Sequence, residues 1–157
     1  MQIYCVIEVV AVYFKIELKL EWISLIQSRI KMNWLLVALG GAIGASFRYS
    51  IALYLVKPAT VFPWATWSVN IVGCFLAGVF FAFSEKYIFL QNEVRLFLMV
   101  GILGGFTTFS SFGLETFMLL RQGEMVLALS YVLSSLIIGL IFLVIGFYLF
   151  NVFLHTP

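Results

Sequence analysis

The chain has 157 residues, 64% hydrophobic and 10% charged, with a net charge of +2 and a mean hydropathy of +1.13. Soluble domains are roughly 45–50% apolar and about 25% charged, and a domain of this size buries only part of its surface. An ordinary soluble enzyme, a disordered chain and a nucleic-acid binder are therefore excluded: the solvent for most side chains is lipid, and the fold class is an all-α membrane protein.

Residues 1–31 stand apart from the rest. They carry Glu8, Lys15, Glu17, Lys19, Glu21, Arg29 and Lys31, too many charges for a cheap membrane crossing. No Lys or Arg precedes the apolar stretch and no small-residue cleavage site follows it, so the segment is a poor signal peptide. Ile16, Leu20, Ile23 and Ser24 recur at helical spacing, which fits an interfacial amphipathic helix. The plainer expectation is that translation starts at Met32 and that the working domain is 32–157.

A membrane helix needs about 20 mostly apolar residues, and four runs meet that length. The first is 33–56, with Arg48 as its one charge; Lys57, Pro58 and Pro63 mark the loop after it. The second is 64–84, closed by Glu85 and Lys86. The third, 94–120, is interrupted at 104–111, and a break of the helix at membrane depth is expected there. Arg121 to Glu124 form a short hairpin into the fourth run, 125–153. Cys5 and Cys74 form no CxxC pair and read as free thiols.

Four spans put both ends of the domain on one side. Counted from Met32, Lys86 and Arg95 lie on that side and Arg48, Lys57 and Arg121 towards the other, two against three. Such a balance barely selects an orientation. A chain that inserts both ways can pair antiparallel with itself across a two-fold axis. Arg29 and Lys31 add to the terminal side and weaken this expectation.

Polar groups at membrane depth are costly unless paired or facing a cavity. Asn70 has two readings: interhelical glue, worth about a kcal/mol or less, or an amide donor towards a pore. Thr66 lies one turn earlier on the same face, which favours a wet stripe. The third run holds Gly101-Ile-Leu-Gly-Gly-Phe-Thr-Thr-Phe-Ser-Ser-Phe-Gly113, four glycines, two threonines and two serines in thirteen residues. These weaken helix continuity, and a break would free carbonyls that need a donor or a cation. Tight packing through Gly101 and Gly105 is the other reading.

Phe106, Phe109 and Phe112 recur every third residue and are expected on one face. Their positive ring edges suit an anion path without fixed charge, and conduction needs weak sites. Thr108, Ser111 and Glu115 form a second polar stripe on the opposite face. Gly40, Gly41, Gly44 and Ala45 read as helix packing. Arg48 either snorkels to the interface or holds an anion in a vestibule. Tyr131, Ser134 and Ser135 add hydroxyls in the fourth run, each able to bond the carbonyl four residues back. No His lies in a run, no Cys/His cluster suggests zinc, and no GxSxG, Walker A or GxGxxG pattern occurs. Glu115 is the one carboxylate expected within a span, so catalysis has little to work with.

Three motifs in order strongly resemble the Fluc (CrcB) fluoride channels: Gly40-Gly41-Ala-Ile-Gly44-Ala45-x-x-Arg48-Tyr49, Trp67-Ser-Val-Asn70-x-x-Gly73-x-Phe75-x-x-Gly78, and Gly104-Gly105-Phe-Thr107-Thr108-Phe109-Ser-Ser-Phe112. The resemblance runs from about Met32 to Phe153 and supports Met32 as the working start. It implies four spans in an antiparallel, dual-topology homodimer, or a pairing with a homologous chain. Two fluoride pores would lie at the dimer interface, around a structural sodium ion. It further implies that the backbone carbonyls of Gly104 and Thr107 surround the sodium, that Phe109 and Phe112 turn ring edges to fluoride, and that Asn70 is the pore asparagine. Arg48 matches the family's arginine, and Thr66, Tyr131 and Ser135 match polar positions along the path, beside the hydroxyls of Thr108 and Ser111. Glu115 matches a position of secondary weight. Ser111 stands where the motif often has Thr, and the hydroxyl remains.

The implied activity is passive export of fluoride from the cytoplasm of a bacterial cell across its inner membrane, without an ATP motif or a relay of carboxylates. A small multidrug transporter of dual topology would need a membrane-embedded Glu in the first span, which is missing. A non-transporting membrane scaffold would not require the Phe/Thr/Ser face.

Overall fold

The computed structural model describes the backbone of residues 2–55 and 61–155, with the side chains of 15, 17, 19, 21–55 and 61–153. Val56, Lys57 and Pro58, and the side chains of Cys5, Glu8, Ile16 and Leu20, lie outside the described residues. The chain divides into two compact units, Met1–Leu35 and Leu36–Pro157. The first helix, α1, is Gln2–Leu55. In the first unit Lys15, Glu17, Lys19 and residues 21–32 are exposed, and Ser24 and Ser28 donate to the carbonyls of Glu21 and Leu25.

In the second unit α2 is Trp64–Lys86, followed by a 3₁₀ turn, Ile88–Leu90, and a short helix α3, Glu93–Arg95. A π-helical stretch, Leu96–Leu103, leads into α4, Gly104–Phe106. Then come α5, Phe109–Arg121, and α6, Met125–His155. Among the described residues four stretches are long and apolar enough to cross a membrane: Glu21–Leu55, Trp64–Lys86, Glu93–Arg121 and Met125–Phe153. The second and third run slightly past the expected ends because Lys86 and Arg121 sit in last helical turns, where the negative end of the helix dipole favours a cation.

Small residues set the packing. In lipid there is little hydrophobic drive between helices, so close backbone approach carries the association. A Cβ on Gly40 would lie 2.9 Å from the Cα of Gly101, and one on Gly44 would meet the Ile102 carbonyl and, at 2.8 Å, the Phe106 amide. The glycine stripe of α1 therefore seats directly on the third span. α2 and α6 meet the same way, Gly78 against the Leu143 carbonyl and Gly146 against that of Phe75. Ring contacts flank the seam, Phe75 on Phe142 and Phe81 on Phe147, with centroids 6.5 and 5.5 Å apart. Gly123, at φ +82°, closes the hairpin between α5 and α6 in the left-handed region, which a Cβ disfavours. Buried apolar side chains are few: Val69, Ile71, Ala82, Phe106, Leu119, Ala128 and Tyr131 form the core among the described residues. Large apolar side chains face outward along the helices, as expected of surfaces solvated by lipid.

Candidate functional site

The site forms where α4 gives way to α5. Thr107 and Thr108 are extended, at ψ 156° and 115°. In an uninterrupted helix the Thr108 amide would bond the Gly104 carbonyl and the Ser111 amide that of Thr107. Both amides turn elsewhere. Thr108 N–H donates to Asn70 Oδ1 at 3.0 Å, and Ser111 N–H to Thr108 Oγ1 at 3.2 Å. Asn70 completes the exchange by donating Nδ2–H to the Thr108 carbonyl at 3.3 Å. Its amide thus pairs with one residue's backbone as a neighbouring strand would. Thr108 caps α5, as a Thr at this position commonly does, and its hydroxyl donates to Ser111 Oγ at 3.0 Å.

One turn along α2 from Asn70, Thr66 donates to Glu115 Oε1 at 2.7 Å, and Tyr131 donates to Glu115 Oε2 at 2.8 Å. Thr66 is 8% exposed and Tyr131 fully buried. A carboxylate removed from water needs such donors on both oxygens. The expected common face of Thr66 and Asn70 is present: both reach towards the third span. Glu115, given secondary weight from sequence, is the hub of this second cluster.

The aromatic repeat divides. Phe106 lies before the extended residues and is 7% exposed, packed into the core, while Phe109 and Phe112 lie on α5. The expected single face for all three therefore fails, because the extended backbone of Thr107 and Thr108 resets the rotation of the chain. Phe109 is 84% exposed and Phe112 packs on Tyr131 with centroids 5.1 Å apart; their own rings lie 5.8 Å apart. In α6, Ser134 bonds the carbonyl three residues back, that of Tyr131, at 3.3 Å. Ser135 does not make the expected bond four residues back; its hydroxyl is buried with no partner among the described residues. Arg48 is half-buried on α1.

An open groove of about 400 Å³ is lined by Asn70, Gly104, Thr107, Thr108 and Phe109 with mostly apolar neighbours; Thr66, Ser111, Phe112, Tyr131, Ser135 and Arg48 are not part of its lining. Among the described residues no cluster of three or more His, Cys, Asp or Glu could hold a metal ion. Sequence reasoning named Trp67 in a motif and Ser134 as a hydroxyl of the fourth run but missed their pairing, in which Trp67 Nε1–H donates to Ser134 Oγ at 3.0 Å and joins α2 to α6. No spacing signalled that pair; only the packing of the two helices brings it together.

Residues 35–147 match the family described as CrcB-like protein, Camphor Resistance (CrcB). Among similar proteins, one of Methylobacillus flagellatus is 42% identical over 115 residues, covering 72% of this chain and 90% of the relative. One of Prosthecochloris aestuarii is 48% identical over 112 residues, covering 71% and 88%. One of Chloroflexus aurantiacus is 43% identical over 115 residues, covering 73% and 91%. Each carries the name fluoride-specific ion channel FluC.

Proposed function

The chain belongs to the CrcB-like family, and from that premise we propose that it is a fluoride-specific ion channel of a bacterial cell membrane, letting cytoplasmic fluoride leave passively. The observation that carries the proposal is its 42–48% identity to channels of that name over about nine-tenths of their length. The polar track fits this chemistry. Fluoride is small and tightly hydrated, so a path must replace its water with donors that hold it weakly. The second amide hydrogen of Asn70, the Ser111 hydroxyl that Thr108 orients by donating to it, and the ring edges of Phe109 and Phe112 are donors of this kind. Ser135 offers a buried hydroxyl that has no other partner among the described residues, whereas Thr66 and Tyr131 border the track with their hydroxyl hydrogens held by Glu115. Arg48, half-buried on α1, is the cation this reading assigns to the vestibule.

The interruption of the third span at Thr107 and Thr108 serves as the centre of the assembly. A sodium ion fits there by one observation: the amides that would otherwise occupy the Gly104 and Thr107 carbonyls are taken by Asn70 and by the Thr108 hydroxyl. Carbonyls at the end of a half-helix, as at Gly104, and in extended backbone, as at Thr107, bind sodium in membrane proteins. One chain offers two of them, so a second copy, antiparallel across the groove, completes the set. The near balance of Lys and Arg on the two sides supports insertion in both orientations. Sodium would fix the interface by charge; the chain's own residues orient and pass the anion.

The test is fluoride release from liposomes carrying the purified protein, read with a fluoride electrode once valinomycin lets potassium follow. Rapid fluoride loss without chloride loss is the expected result. No fluoride loss from folded, dimeric protein overturns the proposal. Replacing sodium with a large organic cation during purification is expected to lower the dimer fraction.

A further inference from the structure

Thr66 and Trp67 are neighbours on α2 but reach different helices. Thr66 donates to Glu115 on α5, and Trp67 donates through its indole to Ser134 on α6. Ser134 in turn donates to the carbonyl of Tyr131, whose phenol donates to the other oxygen of Glu115. The chain of bonds is closed: Thr66, Glu115, Tyr131, Ser134, Trp67 and back to Thr66 through one peptide bond. It ties three helices into a ring around a carboxylate. α5 and α6 are also joined covalently by the nearby hairpin at Gly123, whereas α2 meets them here through side chains. The Trp67–Ser134 contact is therefore the side-chain hydrogen bond that joins α2 to α6 at this level, beyond the glycine contacts of the same two helices. The same indole packs on the cluster of Leu119, Ala128 and Tyr131 and touches Trp64 edge to face, with centroids 5.9 Å apart. Trp64 leads through Phe62 back to the Tyr131 ring.

We infer that Trp67, acting through Ser134, is a positioning residue for the Glu115 carboxylate: the pair holds the Tyr131 hydroxyl in register with the Thr66 hydroxyl, so that both donors converge on one anion. Cooperative networks of this kind lose more than one bond when a link is cut. With the ring open, α6 can shift against α2 while the Tyr131 ring stays packed on Phe62 and Phe112, so the Tyr131–Glu115 bond lengthens and the carboxylate is held less symmetrically by its two donors. The consequence for conduction rests on the channel reading above; the positioning itself does not.

The experiment uses the full chain in liposomes with three variants, Ser134→Ala, Trp67→Phe and Ser134→Thr. The carboxylate stretch of Glu115 is identified in infrared difference spectra by its loss in Glu115→Gln. That band is expected to shift in Ser134→Ala and Trp67→Phe and to return towards the parent position in Ser134→Thr, which restores the hydroxyl. A band unmoved in both of the first two variants overturns the inference, whether or not the parent protein passes fluoride. Fluoride release is expected to slow about tenfold in the same two variants, the scale of one lost hydrogen bond, but not further in a Glu115→Gln background. Equal slowing in that background points to general loosening of the fold and overturns the inference. A parent protein that releases no fluoride refutes the channel reading instead, and the infrared comparison still decides this one.

Discussion

Replacing Asn70 by Ala removes both halves of its exchange with Thr108, the 3.0 Å bond accepted from the amide and the 3.3 Å bond donated to the carbonyl. Interhelical hydrogen bonds in membranes average about 0.6 kcal/mol each. The Thr108 amide is then left without its acceptor in a half-buried place, which costs about 1–3 kcal/mol more. The expected loss is about 2–4 kcal/mol in the link between α2 and the start of α5. At about 1.4 kcal/mol per tenfold change, fluoride release would fall by about 30- to 1,000-fold if all of it appears in the conducting population. Asn70→Asp separates holding from conducting. Its remaining oxygen still accepts from the Thr108 amide, so the fold should survive, but it lacks the amide donors and brings a negative charge to the track. The assay is fluoride release from liposomes beside thermal unfolding of the detergent-solubilised protein. Asn70→Ala with release within twofold of the parent and unchanged unfolding would refute the assigned role of the Asn70–Thr108 exchange.

Glycine substitutions test the packing. Gly44→Ala should cost about 2–3 kcal/mol, the scale of overpacking, because its Cβ meets backbone of the third span. Gly41→Ala meets nothing within 4 Å and should be neutral or gain up to about 1 kcal/mol of helix propensity; equal loss in both, read by thermal unfolding, would contradict the helix contact described. Gly123→Ala should cost about 1–2 kcal/mol for its left-handed backbone, with Gly123→Asn milder on the same scale. Tyr131→Phe keeps the ring contacts and removes one donor from Glu115, so fluoride release should slow about tenfold while the protein stays folded by gel filtration. Phe109→Ile, at a side chain exposed in the chain alone, should slow release without lowering the unfolding temperature. A drop in that temperature would mean that Phe109 serves packing within the chain.

Much of the fold is legible in the order of residues. Four long apolar runs separated by Pro63, by Glu85 and Lys86 and by Arg121 to Glu124 can be read directly, because lipid demands about twenty apolar residues per crossing. The small-residue spacing at Gly40 and Gly44 marked a close helix contact, since lipid gives helices little other reason to associate. Asn70 and Thr108 stood out for the opposite reason: a polar side chain in such a run is expensive and has to have a partner or a task. The Phe106 face was misread because periodicity assumes one continuous helix, and two extended residues, Thr107 and Thr108, change the phase.

What the sequence determined by itself is therefore the solvent, the number of spans and the places where polarity had to be satisfied. Composition and local periodicity suffice for these, because each span meets lipid independently. Which polar groups satisfy one another was decided only by the tertiary structure. Thr66 finds Glu115 across 49 positions, Asn70 finds Thr108 across 38 and Trp67 finds Ser134 across 67. Contacts at such separations follow from how the glycine faces let the helices approach and rotate, and no local pattern encodes that rotation.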